Sequence, residues 1–478
     1  MKMKMKNIII MGVSALLILA AVLGLTVPSL NAGLRKLVRW PVPTTYPYVF
    51  AHGLNGWGEG GFIDAEDAAV SANYWGGTAC DLMEVLTGLG YECSAPSGQP
   101  AGSAWDRACE LYAAITGTRV DYGKSHSEKF GHERYGETYT ESLVAGWGEK
   151  DEDYNLRKIN LIGHSFGGAT VRLFAELMAN GSEEEKAASP EGCSPLFTGK
   201  KADWIFSVTA LTAPHNGTTL LYALEQPASL ISKTINSVNN LFSGDGLLSG
   251  ILGGLGLNSG EVFNSDNLNW IKNALNLSAM TDLNKESDSA YYDLTLKGAD
   301  EINQRITTLG NSYYFSYPMD GTKNYSGLLL KGVVGDSNDM MMLLVPVATI
   351  IGTYKSNTVN SNYPINSEWL PNDGLVNTIS AKAPFSEESV EFPEGNIWEI
   401  GKGVWNVMPV MRGDHGKPIG LMQDEAWTVS FYTEQLERID DLSRLDTASW
   451  FWRREYKKTA GNNQQAKQTT SNTSVTAD

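Results

Sequence analysis

Two patterns of apolar residues alternate along the first half of the chain. Short, nearly continuous apolar runs predict buried strands from Tyr48 to Ala51, from Arg157 to Ile162 and within residues 204–218. Apolar residues at helical spacing follow the first two strands, over residues 82–86 and 171–178. Strands that alternate with helices pair in parallel and bury both faces. The pattern therefore predicts an α/β fold with a mostly parallel central sheet and helices on both faces.

Residues 220–290 depart from this pattern. The stretch PASLISKTINSVNNLF places its apolar residues near one helical face, and GLLSGILGGLGL is apolar and rich in glycine. An additional packed helix pair would account for this composition. The alternative, which we favour, is a mobile amphipathic lid that covers an apolar site and opens at a lipid surface.

The two ends of the chain differ from its centre. The basic start MKMKMKN precedes a 20-residue apolar run from Ile8 to Val27, and PSLNA follows. This order predicts a secretory signal peptide over residues 1–32, with an uncleaved membrane anchor at residues 8–27 as the alternative. Either interpretation places the protein outside the cytoplasm. Residues 33–456 then form the folded domain, and the polar residues 457–478 are expected to be a disordered tail.

Composition excludes some classes of partner. The chain has 478 residues and a formal net charge of −17, and so acidic a protein would neutralise nucleic acid phosphates poorly. We therefore expect no nucleic acid partner. Its four cysteines are too few for a disulfide scaffold in a chain of this length. Cys80 and Cys93 could pair or could remain free thiols.

A nucleophile elbow is predicted at GHSFG, residues 163–167. The sequence matches G-x-S-x-G between a predicted strand and a predicted helix, which is the context that this motif requires. Glycines two residues before and after the serine allow a sharp turn that has no room for a Cβ atom. The helix that follows directs its first N–H groups at a developing oxyanion. These features predict that Ser165 is a nucleophile.

A serine hydroxyl needs a base and a group that orients the base. Of the six histidines, His415 fits the order Ser…Asp…His of α/β-hydrolases. Asp373 lies between them, in an Asn-Asp-Gly turn at a predicted strand end, and is the candidate partner of His415. The other five histidines either precede Ser165 or follow it too closely, and they are His52, His126, His132, His164 and His215.

The oxyanion hole needs two N–H groups. One is expected from Phe166, directly after the nucleophile, and the other from the loop after the first strand. In that loop the sequence HGLNGW makes Leu54 the candidate. Because both groups are backbone, the types of these residues carry no information.

Several further motifs resemble one family. HGLNGWG, YWGG, WDRACELY, VDYGKSH, GHSFGG, APHNGTT, SAYYDL and NDGLVNT are similar to the staphylococcal and thermophilic-bacillus secreted triacylglycerol lipases. The resemblance runs discontinuously from about Tyr46 to about His415. It implies an α/β-hydrolase fold with a helical lid insertion and a triad of Ser165, His415 and Asp373. It also implies hydrolysis of acylglycerol esters at an oil–water interface, with transient lid contact with the lipid.

The resemblance also implies a zinc ion. By themselves, His126 and His132 are a weak zinc signal, and two surface histidines in a polar loop account for them as well. Lipases of this family hold zinc with two His and two Asp, and the matching positions here are Asp106, His126, His132 and Asp288. Such a site leaves no ligand position open, so the metal would be structural. It would brace the excursion of residues 106–135 against the chain near residue 288.

One position departs from the family. These lipases bind calcium beside the catalytic histidine through a carboxylate two residues later, but here that residue is Lys417. Asp414 and Asp424 are nearby, although neither has the family's spacing. Because a cation repels calcium, we expect no calcium requirement.

The leading hypothesis is a secreted, monomeric, lid-gated serine lipase. A phospholipase or a short-chain carboxylesterase would use the same triad with a different acyl pocket. A catalytically silent hydrolase fold that binds at the cell surface is the alternative from another class, although silent members usually lack a triad residue.

Overall fold

Seven short strands form the central sheet, and every neighbouring pair in it is parallel. The computed structural model describes residues 44–59, 73–151, 154–226, 283, 285–326, 331–356 and 364–448. The predicted signal peptide, most of the predicted lid and the predicted tail lie outside these residues. The strands, in chain order, are β1 (Tyr48–Ala51), β2 (Cys93–Ser94), β3 (Ile159–His164), β4 (Ile205–Leu211), β5 (Tyr313–Tyr317), β6 (Ser389–Glu391) and β7 (Trp405–Val407).

The order of the strands across the sheet is β6-β7-β5-β4-β3-β1-β2. All residues of β1, β3 and β4 are buried, as expected for parallel strands that are covered on both faces. Ala51 of β1 lies opposite Gly163 of β3, which lies opposite Ala210 of β4. Because these strands are parallel, the loops that follow them emerge at one edge of the sheet, where ligands bind in open α/β sheets.

The helices connect the strands. They are α1 (Leu82–Gly88), α2 (Ala104–Thr116), α3 (Lys124–Phe130), α4 (Gly167–Asn180), α5 (Glu183–Ala188), α6 (Leu220–Leu224), α7 (Ala290–Asp293), α8 (Leu296–Arg305), α9 (Val345–Thr353), α10 (Thr378–Lys382) and α11 (Glu425–Thr447). Helix α2 is well delimited: the Ser103 side chain accepts from the Asp106 N–H at its start, and Gly117 ends it with a φ of 66°.

The main core joins the sheet to α2 and α4. Its buried members include Val49, Leu161 and Val208 from three neighbouring strands, with Ile115 of α2 and Phe174 of α4. A second apolar cluster brings α6 against α9, through residues such as Leu220, Leu224, Val347 and Ile351. The segment predicted as a lid therefore begins with a helix that is packed into the domain.

Three small sheets lie outside the central one. Arg119–Asp121 pairs with Tyr135–Thr138 and Thr322–Ser326 pairs with Lys331–Gly335, both antiparallel, whereas Met319–Asp320 pairs in parallel with Met411–Arg412. Cys80, Cys93, Cys109 and Cys193 are free thiols. Cys80 and Cys93 therefore do not form a disulfide, which was one of the two alternatives for them.

Among the described residues, a smaller unit comprises residues 44–45, 148–151, 154–157 and 438–448. Within its described part, the Thr44 N–H donates to Thr447 Oγ1 at 3.0 Å, and Ser443 Oγ donates to the Thr44 carbonyl at 2.9 Å. Among the described residues, no helix has both the length and the apolar character needed to cross a bilayer.

Candidate active site and metal cluster

Ser165 occupies a strained turn between β3 and α4. Its φ is 55°, a left-handed conformation that is unusual for a residue other than glycine. A Cβ atom at Gly163 would lie 2.4 Å from the Gly167 carbonyl oxygen, and one at Gly167 would lie 2.1 Å from that of Ala51. Both glycines are therefore required for α4 to pack backbone against backbone on the end of β1. This is the geometry of a nucleophile elbow.

His415 and Asp373 form a buried pair. The His415 Nδ1 lies 2.8 Å from Asp373 Oδ2, and the two side chains are 6% and 0% exposed. The other carboxylate oxygen, Oδ1, accepts from the Leu375 and Val376 N–H groups at 3.0 and 2.8 Å. Because the carboxylate holds the proton on Nδ1, the Nε2 lone pair of His415 is left to act as a base.

Ser165 and His415 line the same apolar cavity, which has a volume of about 240 Å³. Leu54, the candidate oxyanion residue, also lines it, whereas Phe166 is fully buried at the start of α4. The other apolar lining residues are Leu220, Leu221, Leu294, Met341, Leu344, Leu375, Val376, Ile419 and Leu421. The cavity therefore offers an apolar chain a place beside the candidate nucleophile and the candidate base.

Two other buried histidines are held neutral. Burial and then the Arg107 charge lower the pKa of His52 to about 3. Burial and then Arg172 lower the pKa of His215 well below its ordinary value, and its ring packs 4.5 Å from that of Trp405. Neither fits the base of the proposed triad, since the Asp373 carboxylate is bonded to His415.

Sequence reasoning missed a chain of hydrogen bonds through Tyr74 and His164. The Gly53 N–H donates to the Tyr74 hydroxyl at 2.6 Å, and that hydroxyl lies 2.6 Å from His164 Nδ1. The His164 Nε2 lies 2.9 Å from the His415 carbonyl oxygen, which can only accept. The proton of His164 is therefore on Nε2, and Tyr74 donates to Nδ1. Burial, followed by the nearby His415, lowers the pKa of His164 well below its ordinary value and keeps this ring neutral.

The four predicted metal ligands lie together. The candidate ligand atoms of Asp106, His126, His132 and Asp288 all lie within 4.8 Å of one another. The His126 Nε2 is 3.2 Å from Asp106 Oδ1 and 3.1 Å from Asp288 Oδ2, and the His132 Nε2 is 3.1 Å from the same Asp288 oxygen. Asp106 Oδ1 and His132 Nε2 are buried without a hydrogen bond among the described residues. The four side chains therefore fit a metal ion better than they fit one another.

Neighbouring groups orient these ligands. The His132 Nδ1 lies 2.9 Å from the Glu133 carbonyl, so its proton is held there and Nε2 faces the cluster. The His126 ring stacks on Trp105, with ring centroids 5.0 Å apart. Against the effect of burial, the neighbouring carboxylates of Asp106 and Asp288 raise the pKa of His126 to about 9. The cluster therefore favours a positive charge at its centre.

A larger cleft of about 490 Å³ opens beside the metal cluster. Charged residues such as Lys129, Glu286 and Arg305 line it, and no member of the proposed triad does. The smaller apolar cavity is therefore the better candidate for an ester substrate, because Ser165 and His415 both line it.

Lys417 stands where the family places a calcium ligand. Its ammonium donates to the Arg412 carbonyl at 2.8 Å and lies 5.0 Å from the centre of the Trp427 ring. The Asp414 carboxylate accepts from the N–H groups of Met341, Gly416 and Lys417 at 2.7 to 3.1 Å. This arrangement satisfies the Asp414 carboxylate with backbone donors, and the absence of a calcium requirement stays a prediction.

Comparison with known proteins identifies the family. A family profile described as "Lipase-like, C-terminal domain" matches residues 44–444. This chain belongs to that lipase family. Lipase 1 of Staphylococcus aureus (strain MRSA252) is 34% identical over 389 residues, which cover 80% of this chain and 52% of that protein. Lipase 2 of Staphylococcus aureus is 32% identical over 410 residues, which cover 84% and 54%. The chain thus spans about half the length of the curated relatives it matches.

Three solved structures, two of them of lipases, agree with this family. The lipase 1 of Pelosinus fermentans is 34% identical with a TM-score of 0.61, over 83% of this chain and 98% of that one. The Staphylococcus hyicus lipase is 31% identical with a TM-score of 0.61, over 84% and 97%. EstA from Clostridium botulinum is 33% identical with a TM-score of 0.64, over 85% and 91%. The predicted α/β-hydrolase fold and the resemblance to lipases are both confirmed.

Proposed function

We propose that this chain is a serine lipase that hydrolyses carboxylic esters of acylglycerols. The 2.8 Å pair of His415 and Asp373, next to the cavity that Ser165 also lines, carries the proposal. The names of its relatives support the choice of substrate class. The proposal includes secretion as a monomer, a lid within residues 220–290 that gates the site at a lipid surface, and no nucleic acid partner.

The proposed reaction gives each of these groups a role. Ser165 Oγ attacks the ester carbonyl carbon while its proton passes to His415 Nε2, and Asp373 stabilises the imidazolium. The N–H groups of Leu54 and Phe166 stabilise the oxyanion. Collapse of the tetrahedral intermediate breaks the bond to the alcohol, which takes the proton from His415. Water, activated by the same histidine, then releases the fatty acid from Ser165.

In this proposal zinc is a structural ion. Asp106, His126, His132 and Asp288 would supply all four ligands of a tetrahedral site, so bound zinc would fix these segments and would not touch the substrate. Asp106 lies on α2, His126 lies on α3 and Asp288 lies two residues before the start of α7. The ion would therefore join three segments that are remote in sequence.

Replacement of the nucleophile tests the function. Ser165→Ala is expected to abolish hydrolysis of p-nitrophenyl butyrate and labelling by a fluorophosphonate, because it removes the hydroxyl that forms the acyl-enzyme in this proposal. Ser430→Ala, at an exposed position of α11, is the control and should retain both. Labelling or turnover that survives in Ser165→Ala would contradict the proposal. Rates on tributyrin, long-chain triglyceride and phospholipid emulsions then separate a lipase from an esterase or a phospholipase.

A further inference from the structure

Arg107 is a buried cation that contacts both sides of the proposed oxyanion hole. It is 3% exposed, and its Nη2 donates to the carbonyl of His52. Its Nη1 lies 3.5 Å from the Gly53 carbonyl oxygen, and its guanidinium lies 5.3 Å from the centre of the Phe166 ring. Among the described residues, no carboxylate forms an ion pair with it. A buried charge without an ion pair is costly, so the contacts with the two carbonyls and with the Phe166 ring must stabilise the Arg107 charge.

The His52 side chain contacts the Gly53 carbonyl oxygen, as Arg107 does. The Gly98 N–H donates to His52 Nε2 at 3.0 Å, which leaves the imidazole proton on Nδ1. That nitrogen lies 2.9 Å from the Gly53 carbonyl oxygen and donates to it. The Gly56 N–H also donates to this oxygen, at 3.2 Å, so that one backbone group and two side chains, one charged and one neutral, face the oxygen of Gly53.

The Gly53 carbonyl and the Leu54 N–H belong to the same peptide bond, so contacts with the carbonyl oxygen determine the direction of the N–H. A trans peptide is planar, and its C=O and N–H point in opposite directions. Because the Gly53 oxygen faces His52 and Arg107, the Leu54 N–H faces the other way. Gly53 lies against the nucleophile, since a Cβ atom there would be 2.8 Å from the Ser165 Cβ. The free face of this peptide is therefore the one that an ester carbonyl on Ser165 would meet.

We propose that Arg107 is a positioning residue of the oxyanion hole, which fixes the Gly53–Leu54 peptide so that the Leu54 N–H faces the reacting carbonyl. This inference rests on the proposed esterase function. Arg107 touches no substrate: it acts through the backbone of one half of the hole and packs on the ring of Phe166, whose N–H forms the other half. Its loss should weaken binding of the tetrahedral state more than binding of the ester.

Arg172 is a matched control. It lies on α4, is 2% exposed and has its guanidinium 5.9 Å from the centre of the Trp405 ring. It donates to Asn303 at 2.8 Å and contacts no residue of the proposed site. Arg107→Met and Arg172→Met therefore remove similar buried cations, only one of which borders the oxyanion hole.

The test compares these variants in ester turnover and in binding of 1-butaneboronic acid. Ser165 Oγ adds to the boron and its proton passes to His415, which gives a tetrahedral adduct with an oxygen in the oxyanion hole. In Arg107→Met we expect kcat to fall and the Ki of the boronic acid to rise, each about 10- to 100-fold, with KM little changed, since loss of a whole oxyanion donor costs about 10²- to 10³-fold. Arg172→Met should keep kcat and Ki near wild type, measured where circular dichroism finds both variants folded.

The outcomes separate this inference from the proposed function. Turnover that survives in Ser165→Ala overturns both. An inactive Ser165→Ala together with kcat and Ki of Arg107→Met within twofold of Arg172→Met overturns only the role of Arg107. If Arg107→Met does not fold, Arg107→Lys replaces it, because a lysine keeps the charge but lacks the planar fork. The same rise in Ki is then expected, and its absence overturns the inference.

Discussion

The Tyr74 hydroxyl joins three segments that are far apart in sequence. It accepts from the loop after β1 and donates to the elbow through His164, whose other nitrogen holds the carbonyl of His415. Gly53 and His164, which directly precede Leu54 and Ser165, thus share one buried hydrogen-bonded chain with the backbone of His415. Such networks are stabilising when every member is satisfied and costly when one is removed.

We predict that Tyr74→Phe destabilises the protein. The substitution leaves the Gly53 N–H and His164 Nδ1 buried without partners, so the free energy of unfolding should fall by about 1–3 kcal/mol. Urea denaturation followed by tryptophan fluorescence measures the change. Tyr325→Phe, on the strand Thr322–Ser326, is the control and should stay within about 0.5 kcal/mol of wild type. An equally small change for Tyr74→Phe would contradict the role given to its hydroxyl.

The sequence predicted the candidate triad residues but missed the buried residues that hydrogen-bond to the backbone around them. Chain order and a glycine motif were sufficient to select Ser165, Asp373 and His415 as candidates. Tyr74, His164 and Arg107 act on carbonyl and N–H groups of distant backbone, and a bond to backbone leaves no mark on the residue type of its partner. Tyr74 lay within the quoted motif YWGG, but the motif gave no indication of its role.

The elbow is an element in which two glycines allow a helix to touch a strand. Gly167 begins α4 against the last carbonyl of β1, and this approach places the first turn of the helix beneath Ser165. Close contact of this kind leaves no space for even one methyl group.

Gly167→Ala is therefore expected to be destabilising. Its Cβ would lie 2.1 Å from the Ala51 carbonyl oxygen, and relief of this clash requires a backbone shift that should cost about 1–3 kcal/mol. Gly88→Ala is the control, since it lies in α1 with nothing within 4 Å of the added carbon. It should stabilise the helix by about 0.5–1 kcal/mol. Thermal unfolding of the two variants should shift in opposite directions, and a shift of Gly167→Ala toward greater stability would refute the packing argument.

The loop that contains His415 leads to a prediction about whether activity requires calcium. Since the Lys417 ammonium donates to the Arg412 carbonyl beside the catalytic loop, we predict that a calcium-selective chelator leaves activity intact. Turnover of p-nitrophenyl butyrate in BAPTA, with and without excess calcium, measures this. Lys417→Glu restores a carboxylate at the family's spacing and is the companion variant. Activity that BAPTA removes and calcium restores in the unaltered chain would show that the prediction is wrong.

For the whole molecule, the proposed metal joins parts that the chain separates widely. Asp106 and Asp288 are 182 positions apart, and their ligand atoms lie within 4.8 Å of each other. Such a cross-link stabilises the native state by mass action, because the unfolded chain cannot hold the four ligands together.

Removal of the metal should lower the thermal midpoint. Zinc at about 100 times its Kd contributes about 2.7 kcal/mol, so a strong chelator should destabilise the protein and added zinc should restore it. Calorimetry, with metal content measured on the same sample, tests this. His132→Asn loses a ligand, and its midpoint should respond little to chelator or to zinc. A midpoint that is unchanged by chelation of zinc-loaded protein would contradict a structural metal.

The fold was predicted in part. The strands β1, β3 and β4 are continuous apolar runs and were recognised, with Arg157 to Ile162 displaced slightly from the observed Ile159–His164. The strands β6 and β7 have three residues each, too few for a periodic signal, and all three residues of β6 are exposed. The order of the strands also depends on packing between remote segments, which no local pattern encodes.

The adjacency of Asp106 and Arg107 in α2 has a consequence for protein engineering. Randomising position 106 to alter metal selectivity would disturb the same helical turn that carries Arg107, so such libraries should also collect variants with damaged turnover. Libraries at positions 126 and 132, on a different segment, should separate metal choice from reaction rate. Of the four proposed ligands, Asp106 is thus the least suitable place to begin a redesign.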